Sequence, residues 1–155
     1  MTIHLVRHGH AGRRHAWDGD DAERPLSSKG RAEAEGLRQR LQDRPVTRVL
    51  SSGFVRCQQT VAPIAEQHDL NVEIEDALAE GASTADAIAL IESLIGTEAV
   101  LCSHGDVIPE VMAALHRDGV KIKGRHRAAK GGTYALHTKG KHIVTATYID
   151  PPALD

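Results

Sequence analysis

The sequence predicts an α/β protein with a mostly parallel central sheet, and three observations predict it. Short apolar runs alternate with longer amphipathic ones along the 155 residues, the order of strands and helices in βα units. Hydrophobic residues make up 41%, enough for one real core, while aromatics make up only 3%, so that core is built from Val, Ile, Leu and Ala. The length suits one domain of ordinary size.

The elements follow in order. Residues 2–7, TIHLVR, read as a buried strand. Residues 27–44 read as an amphipathic helix with Ala34, Leu37 and Leu41 on one face and a serine cap in front. Residues 46–52 form a second strand, and residues 54–68 a helix that Pro63 should kink. Residues 70–75 are a short strand. Residues 83–95 are a helix with Ile88, Ile91 and Ile95 on one face. Residues 98–103 form another buried strand. Residues 106–118 form a helix that tolerates Pro109 in its first turn. Residues 132–138 and 142–149 pair as a hairpin. One domain is expected over residues 1–150, and residues 151–155 are expected to be a loose tail.

Composition excludes several classes. A net charge of −2 argues against charge-driven binding of a nucleic-acid polymer. Cys57 and Cys102 lie far apart without a CxxC pair, so both are expected as reduced core residues of a cytoplasmic protein. The first apolar run is too short for a signal peptide, and no stretch reaches the ~20 apolar residues of a membrane span. No oligomeric state is implied.

Three strands end in chemically loaded residues. The first ends in Arg7-His8-Gly9, the second in Ser51-Ser52 followed by Arg56, and the strand at 98–103 in Ser103-His104-Gly105. In a parallel sheet these ends share one rim, where ligands bind. Arginine offers a charged, planar fork that matches phosphate. Arg56 would also fall in the first turn of its helix, where free N–H groups favour an anion. Gly9 and Gly105 would let substrate approach the backbone. A neutral imidazole can attack phosphorus and carry the phosphoryl group, and Arg7 and Arg56 should depress its protonation. The same cations would offset charge on the equatorial oxygens, and an acid should stand opposite to protonate the leaving oxygen.

"LVRHG", "SSGFVRCQQT" and "LCSHG", in this order and spacing, resemble the histidine phosphatase superfamily, and the likeness covers nearly the whole chain. It implies the phosphoglycerate-mutase-like three-layer α/β/α fold. The short length resembles the SixA-type branch. His8 matches that family's nucleophile, and Arg7, Arg56 and His104 match its phosphate pocket. Glu80, in "DALAEGAS", matches the acidic proton donor more loosely. The stretches "WDGDDAERPLSSKGRAEAEGL", "VIPEVM" and "RAAKGGTYAL" also resemble the histidine-phosphatase domain joined to Nudix domains in actinobacterial MutT-like proteins. The likeness to both leaves the substrate open between a nucleotide, another phosphorylated small molecule and a phosphohistidine protein.

The surrounding residues have weaker claims. Arg13 and Arg14 could extend the pocket towards a second phosphate, and Lys130 and His10 are candidate rim residues. Asp106 is the alternative acid, but a helix N-cap suits it better. Asp18, Asp20 and Asp21 read as a solvated loop that could orient Arg13 or Arg14. Ser52, Gln59 and Thr60 read as shaping the Arg56 turn. His8, His10 and His15 are poorly spaced for zinc, so no metal or cofactor is expected. A metal-independent phosphatase is therefore the leading reading. Its rivals are a phosphate- or phosphoprotein-binding module without catalysis, a mutase, and a metal-dependent hydrolase.

Overall fold

A computed structural model describes residues 1–124 and 128–154. Seven strands form one sheet in the order β3-β2-β4-β1-β6-β7-β5. They are β1 (Thr2–Arg7), β2 (Arg48–Ser51), β3 (Val72–Ile74), β4 (Ala99–Ser103), β5 (Lys121–Lys123), β6 (Thr133–Lys139) and β7 (His142–Ile149). β3, β2, β4 and β1 are mutually parallel, whereas β6 is antiparallel to β1 and to β7. The β6–β7 hairpin falls where expected. The three-residue β5, sequence KIK, was not anticipated and pairs parallel to β7. It is too short and too exposed to carry an alternating apolar signal.

Four helices cover the sheet: α1 (Ser28–Arg40), α2 (Val55–Gln67), α3 (Thr84–Ser93) and α4 (Val107–Arg117). Successive strand residues point to opposite faces. Leu5, Leu50 and Leu101 pack with α3 and α4, while Val6, Val49 and Val100 pack with α1 and α2. That alternation makes the three layers, and it buries the central strands on both sides. α1 starts at the expected serine cap, with Ser27 Oγ accepting from Gly30 N–H. It ends at Arg40 rather than residue 44, and Leu41 still packs into the core. Helix α2 runs through Pro63 without interruption.

The C-terminal tail is not loose along its first residues. Pro151 and Pro152 are half-buried, and Pro152 sits so close over Gly36 of α1 that a Cβ there would lie 2.4 Å from its ring. No helix among the described residues is long and apolar enough to cross a membrane.

Candidate active site

The parallel register assembles the site. β1 pairs with β4 so that Arg7 faces Ser103, and one step further His8 N–H donates to Ser103 O at 3.1 Å. Ser52 N–H donates to Cys102 O from the other side of β4. The ends of β1, β2 and β4 therefore meet, and His8, Arg7, Arg56 and His104 line one pocket of about 380 Å³. The His8 and His104 rings stand edge to face with centroids 5.4 Å apart.

His8 is buried, and its Nδ1 lies 2.8 Å from Gly9 O. A carbonyl only accepts, so Nδ1 carries the proton and Nε2 keeps its lone pair. Burial, more than the neighbouring His104, Arg56 and Arg7 charges, lowers its pKa from 6.5 to about 3. The cations contribute in the expected direction but are not the main cause. The neutral imidazole is thus the form present at neutral pH. The His8 ring signals should stay unchanged in an NMR titration between about pH 5 and 8, the range in which an ordinary histidine changes charge. Activity limited by His8 protonation should fall only as pH drops towards about 3. A midpoint near 6.5 would contradict this environment.

His104 is held from behind. Ser52 Oγ accepts from Phe54 N–H at 3.2 Å and lies 2.9 Å from His104 Nε2, so its own proton is free for that nitrogen. Cys57 Sγ is 3.5 Å from the same atom. Among the described residues, three buried side-chain nitrogens have no hydrogen-bond partner: His104 Nδ1, Arg7 Nε and Arg56 Nε. All three belong to this pocket.

Arg56 is fully buried and fixed by residues outside the three strand ends. Its Nη1 donates to Asp21 O at 2.9 Å, its Nη2 to Asp21 Oδ2 at 3.1 Å, and its guanidinium lies 5.0 Å over the Phe54 ring. Asp21 also accepts from Arg24 Nε at 2.9 Å and lies 3.5 Å from Arg14 Nε. Burial pushes the Asp21 carboxyl up. The Arg24 hydrogen bond and the Arg56 and Arg14 charges outweigh it and hold the carboxyl below its usual range. Asp21 is therefore no solvated loop residue but the clamp of buried Arg56. Buried Arg24, which donates to Ala11 O at 2.6 Å, was likewise missed.

The remaining expectations divide. Arg13, Arg14, Glu80, Gly105 and Lys130 line the pocket, as do Gly12, His15, Arg24 and Asp106. Among these lining residues six cations face two carboxylates, a positive cleft in a chain of net charge −2. Lys130 is pulled below its ordinary range by burial and then by Arg7, Arg24 and Arg56. Arg14 bonds Glu80 Oε1 at 2.6 Å, and Arg56 Nη2 lies 3.7 Å from the same oxygen, so Glu80 stands across the mouth. Asp106 occupies the N-cap position of α4 without capping it; its Oδ2 accepts from Gly81 N–H at 2.8 Å instead. It thereby ties down the loop that carries Glu80, which Ser103 Oγ also holds by donating to Leu78 O.

Gly9 and His10 do not line the pocket. A Cβ on Gly9 would lie 3.1 Å from Gly30 O, so this glycine lets β1's loop pack on α1 rather than admitting substrate. Gly9 N–H donates to Thr60 Oγ1, which in turn donates to Arg56 O. His10 Nδ1 lies 2.6 Å from Ser27 Oγ, turned towards the start of α1 into a neighbouring cleft. Gly105 makes room for a side chain: a Cβ there would lie 2.6 Å from Arg7 Cζ. Gly105→Ala should leave the melting temperature nearly unchanged, because the obstructed group is a flexible side-chain end. Phosphate release should fall about 10²-fold, the cost of a misplacement near 1 Å. Unaltered kcat/KM would mean that Arg7 does not act from this position. No group of metal-ligating side chains occurs among the described residues.

Fold and site together define a phosphoglycerate-mutase-like α/β protein with two histidines and two arginines at its strand ends. Comparison with known proteins names the family. The description "Histidine phosphatase superfamily (branch 1)" matches residues 3–87. The chain belongs to the histidine phosphatase superfamily. It is 35% identical over 157 residues to an 8-oxo-(d)GTP phosphatase of Mycolicibacterium smegmatis, covering 97% of this chain and 48% of that protein. It is 36% identical over 89 residues to the uncharacterized protein Rv0525 of Mycobacterium tuberculosis, covering 52% of this chain and 41% of that one. The chain spans about half the length of the curated relatives it matches. Its fold superposes on the protein histidine phosphatase SixA bound to tungstate with a TM-score of 0.76 at 22% identity, covering 99% and 97% of the two chains. For the mycobacterial glucosyl-3-phosphoglycerate phosphatase Rv2419c the values are 0.68 and 15%, with 99% of each chain covered.

Proposed function

We propose that this chain is a phosphatase that works through a phosphohistidine on His8. The observation that carries the reading is one pocket lined by Arg7, Arg56 and His104 together with His8, whose buried imidazole stays neutral. In the first step the His8 Nε2 lone pair forms the N–P bond and the P–O bond to the leaving group breaks. Glu80 protonates the leaving oxygen. In the second step a water oxygen bonds to phosphorus, the N–P bond breaks, and Glu80 takes the water proton. Arg7, Arg56 and His104 hold the equatorial oxygens in both steps. Asp21, Asp106 and Ser52 are positioning residues. Every group in these steps comes from the chain, the substrate or water.

The substrate is a phosphorylated small molecule, with a nucleotide first among the classes. The 35% identity to an 8-oxo-(d)GTP phosphatase over nearly the whole chain supports this, as do the extra cations Arg13, Arg14 and Lys130 beside the pocket. Two buried free thiols suit a reducing compartment and support a cytoplasmic location. A panel of nucleotides, sugar phosphates and a phosphohistidine protein tests the reading by kcat/KM. The highest value is expected for a nucleotide. A phosphohistidine protein turned over faster would reassign the substrate, and no phosphate release from any of them would defeat the phosphatase reading.

A further inference from the structure

A second depression adjoins the phosphate pocket, and none of the chemistry above uses it. It is a groove of about 260 Å³ walled by Trp17, Ala16, Pro25 and Leu26. Gly12, Arg13 and Arg24 line both this groove and the His8 pocket, so the two lie side by side. Trp17 is the chain's only tryptophan, and it is 38% exposed. Its ring offers a large, rigid apolar face beside the charged cleft.

The groove is held in shape without a ligand. Trp17 Nε1 donates to Asp20 O at 2.9 Å, which fixes the indole plane. Asp20 caps the 3-10 turn Asp21–Glu23 by accepting from Ala22 N–H. Arg24 ties this segment to Ala11 O, and Leu26 N–H donates to Gln59 Oε1 of α2. Arg13 stands at the seam, and its side chain has no hydrogen bond or ion pair among the described residues. The cleft thus offers cations at one end, the exposed Arg13 guanidinium in the middle and a flat apolar surface at the other. A nucleotide has the matching order: phosphate, ribose, and a planar base that stacks on aromatic rings.

We propose that the Trp17 groove is the leaving-group subsite and takes the base of a nucleotide whose terminal phosphoryl group sits against His8, with Arg13 reaching the part between. This rests on the phosphatase reading above and adds the specificity-determining residue. Stacking recognises a π-face rather than a hydrogen-bond pattern, so purine nucleotides should be accepted with modest discrimination among bases.

The single tryptophan makes the test direct. In His8→Ala protein, GDP and ADP should quench Trp17 fluorescence saturably, whereas ribose-5-phosphate and inorganic phosphate should not. In the otherwise unaltered enzyme, Trp17→Ala should lower the ratio of kcat/KM for GDP over ribose-5-phosphate by about tenfold or more, the size of one base–aromatic stack. Trp17→Phe should retain most of that ratio. Equal losses on both substrates, or nucleotide turnover without quenching, would overturn the subsite and leave the His8 chemistry standing. A phosphohistidine protein preferred over every nucleotide, with the preference unaltered by Trp17→Ala, would overturn it too. Normal turnover by His8→Ala would instead defeat the His8 phosphohistidine route, while the fluorescence titration would still report on the groove.

Discussion

His8→Ala should lower kcat by about 10⁴-fold or more, the scale seen when an enzyme loses its covalent nucleophile. The reason is specific to one atom. Gly9 O takes the Nδ1 proton, so Nε2 is the only lone pair on this ring that can reach phosphorus. Burial keeps that lone pair unprotonated. His104 is held differently, with its Nε2 engaged by Ser52 Oγ at 2.9 Å. Affinity for inorganic phosphate should persist within a few-fold, since Arg7, Arg56 and His104 remain. The expected variant is therefore a folded phosphate binder without turnover. Isothermal titration with phosphate beside a steady-state assay separates the two properties. Retention of near-normal turnover would rule out His8 as the nucleophile.

Arg56→Ala should cost about 10³-fold in kcat/KM, the lower end for arginines that stabilise phosphoryl-transfer transition states. Arg56→Lys should recover little of it. The fully buried guanidinium bonds Asp21 twice, by Nη1 to its carbonyl and by Nη2 to its carboxylate. A lysine ammonium has no fork that can do both. Stability should also fall, by roughly 2 kcal/mol. Breaking a fully buried pair costs about 3–5 kcal/mol, and Asp21 at 27% side-chain exposure keeps part of its hydration. Asp21→Asn should reproduce part of the kinetic loss while preserving Arg56 itself. A lysine variant with full activity would show that charge alone suffices here.

The four residues best read from sequence share one property: each sits at or just after a strand end. His8, Arg7, His104 and Arg56 need only the parallel pairing of β1, β4 and β2 to converge, and alternating hydrophobicity already implies that pairing. Asp21 and Arg24 lie between two elements, in a segment without periodicity. Their partners, Arg56 and Ala11, are chosen by tertiary folding. An acid-rich loop beside a buried arginine was the available signal, and solvation was the simpler reading of it. Asp106 was read as a cap because it precedes α4, yet Gly81 N–H competes for the same carboxylate and wins. His10 and Gly9 shared a motif with His8 but lie beyond the end of β1, where the loop packs on the start of α1. The short strand β5 and the packed prolines of the tail depend on contacts with distant residues, and no local pattern announces them.

The covalent step can be observed directly. A substrate labelled in its transferable phosphoryl group is mixed with excess enzyme and quenched within milliseconds in alkaline denaturant, which preserves phosphohistidine. Peptide mass spectrometry then locates the label. A phosphoryl group on His8, formed and lost at rates consistent with kcat and absent from His8→Ala, is the predicted result. Complete release of phosphate with no labelled peptide at any time, while the unlabelled enzyme turns over normally, would contradict a phosphohistidine route in this pocket.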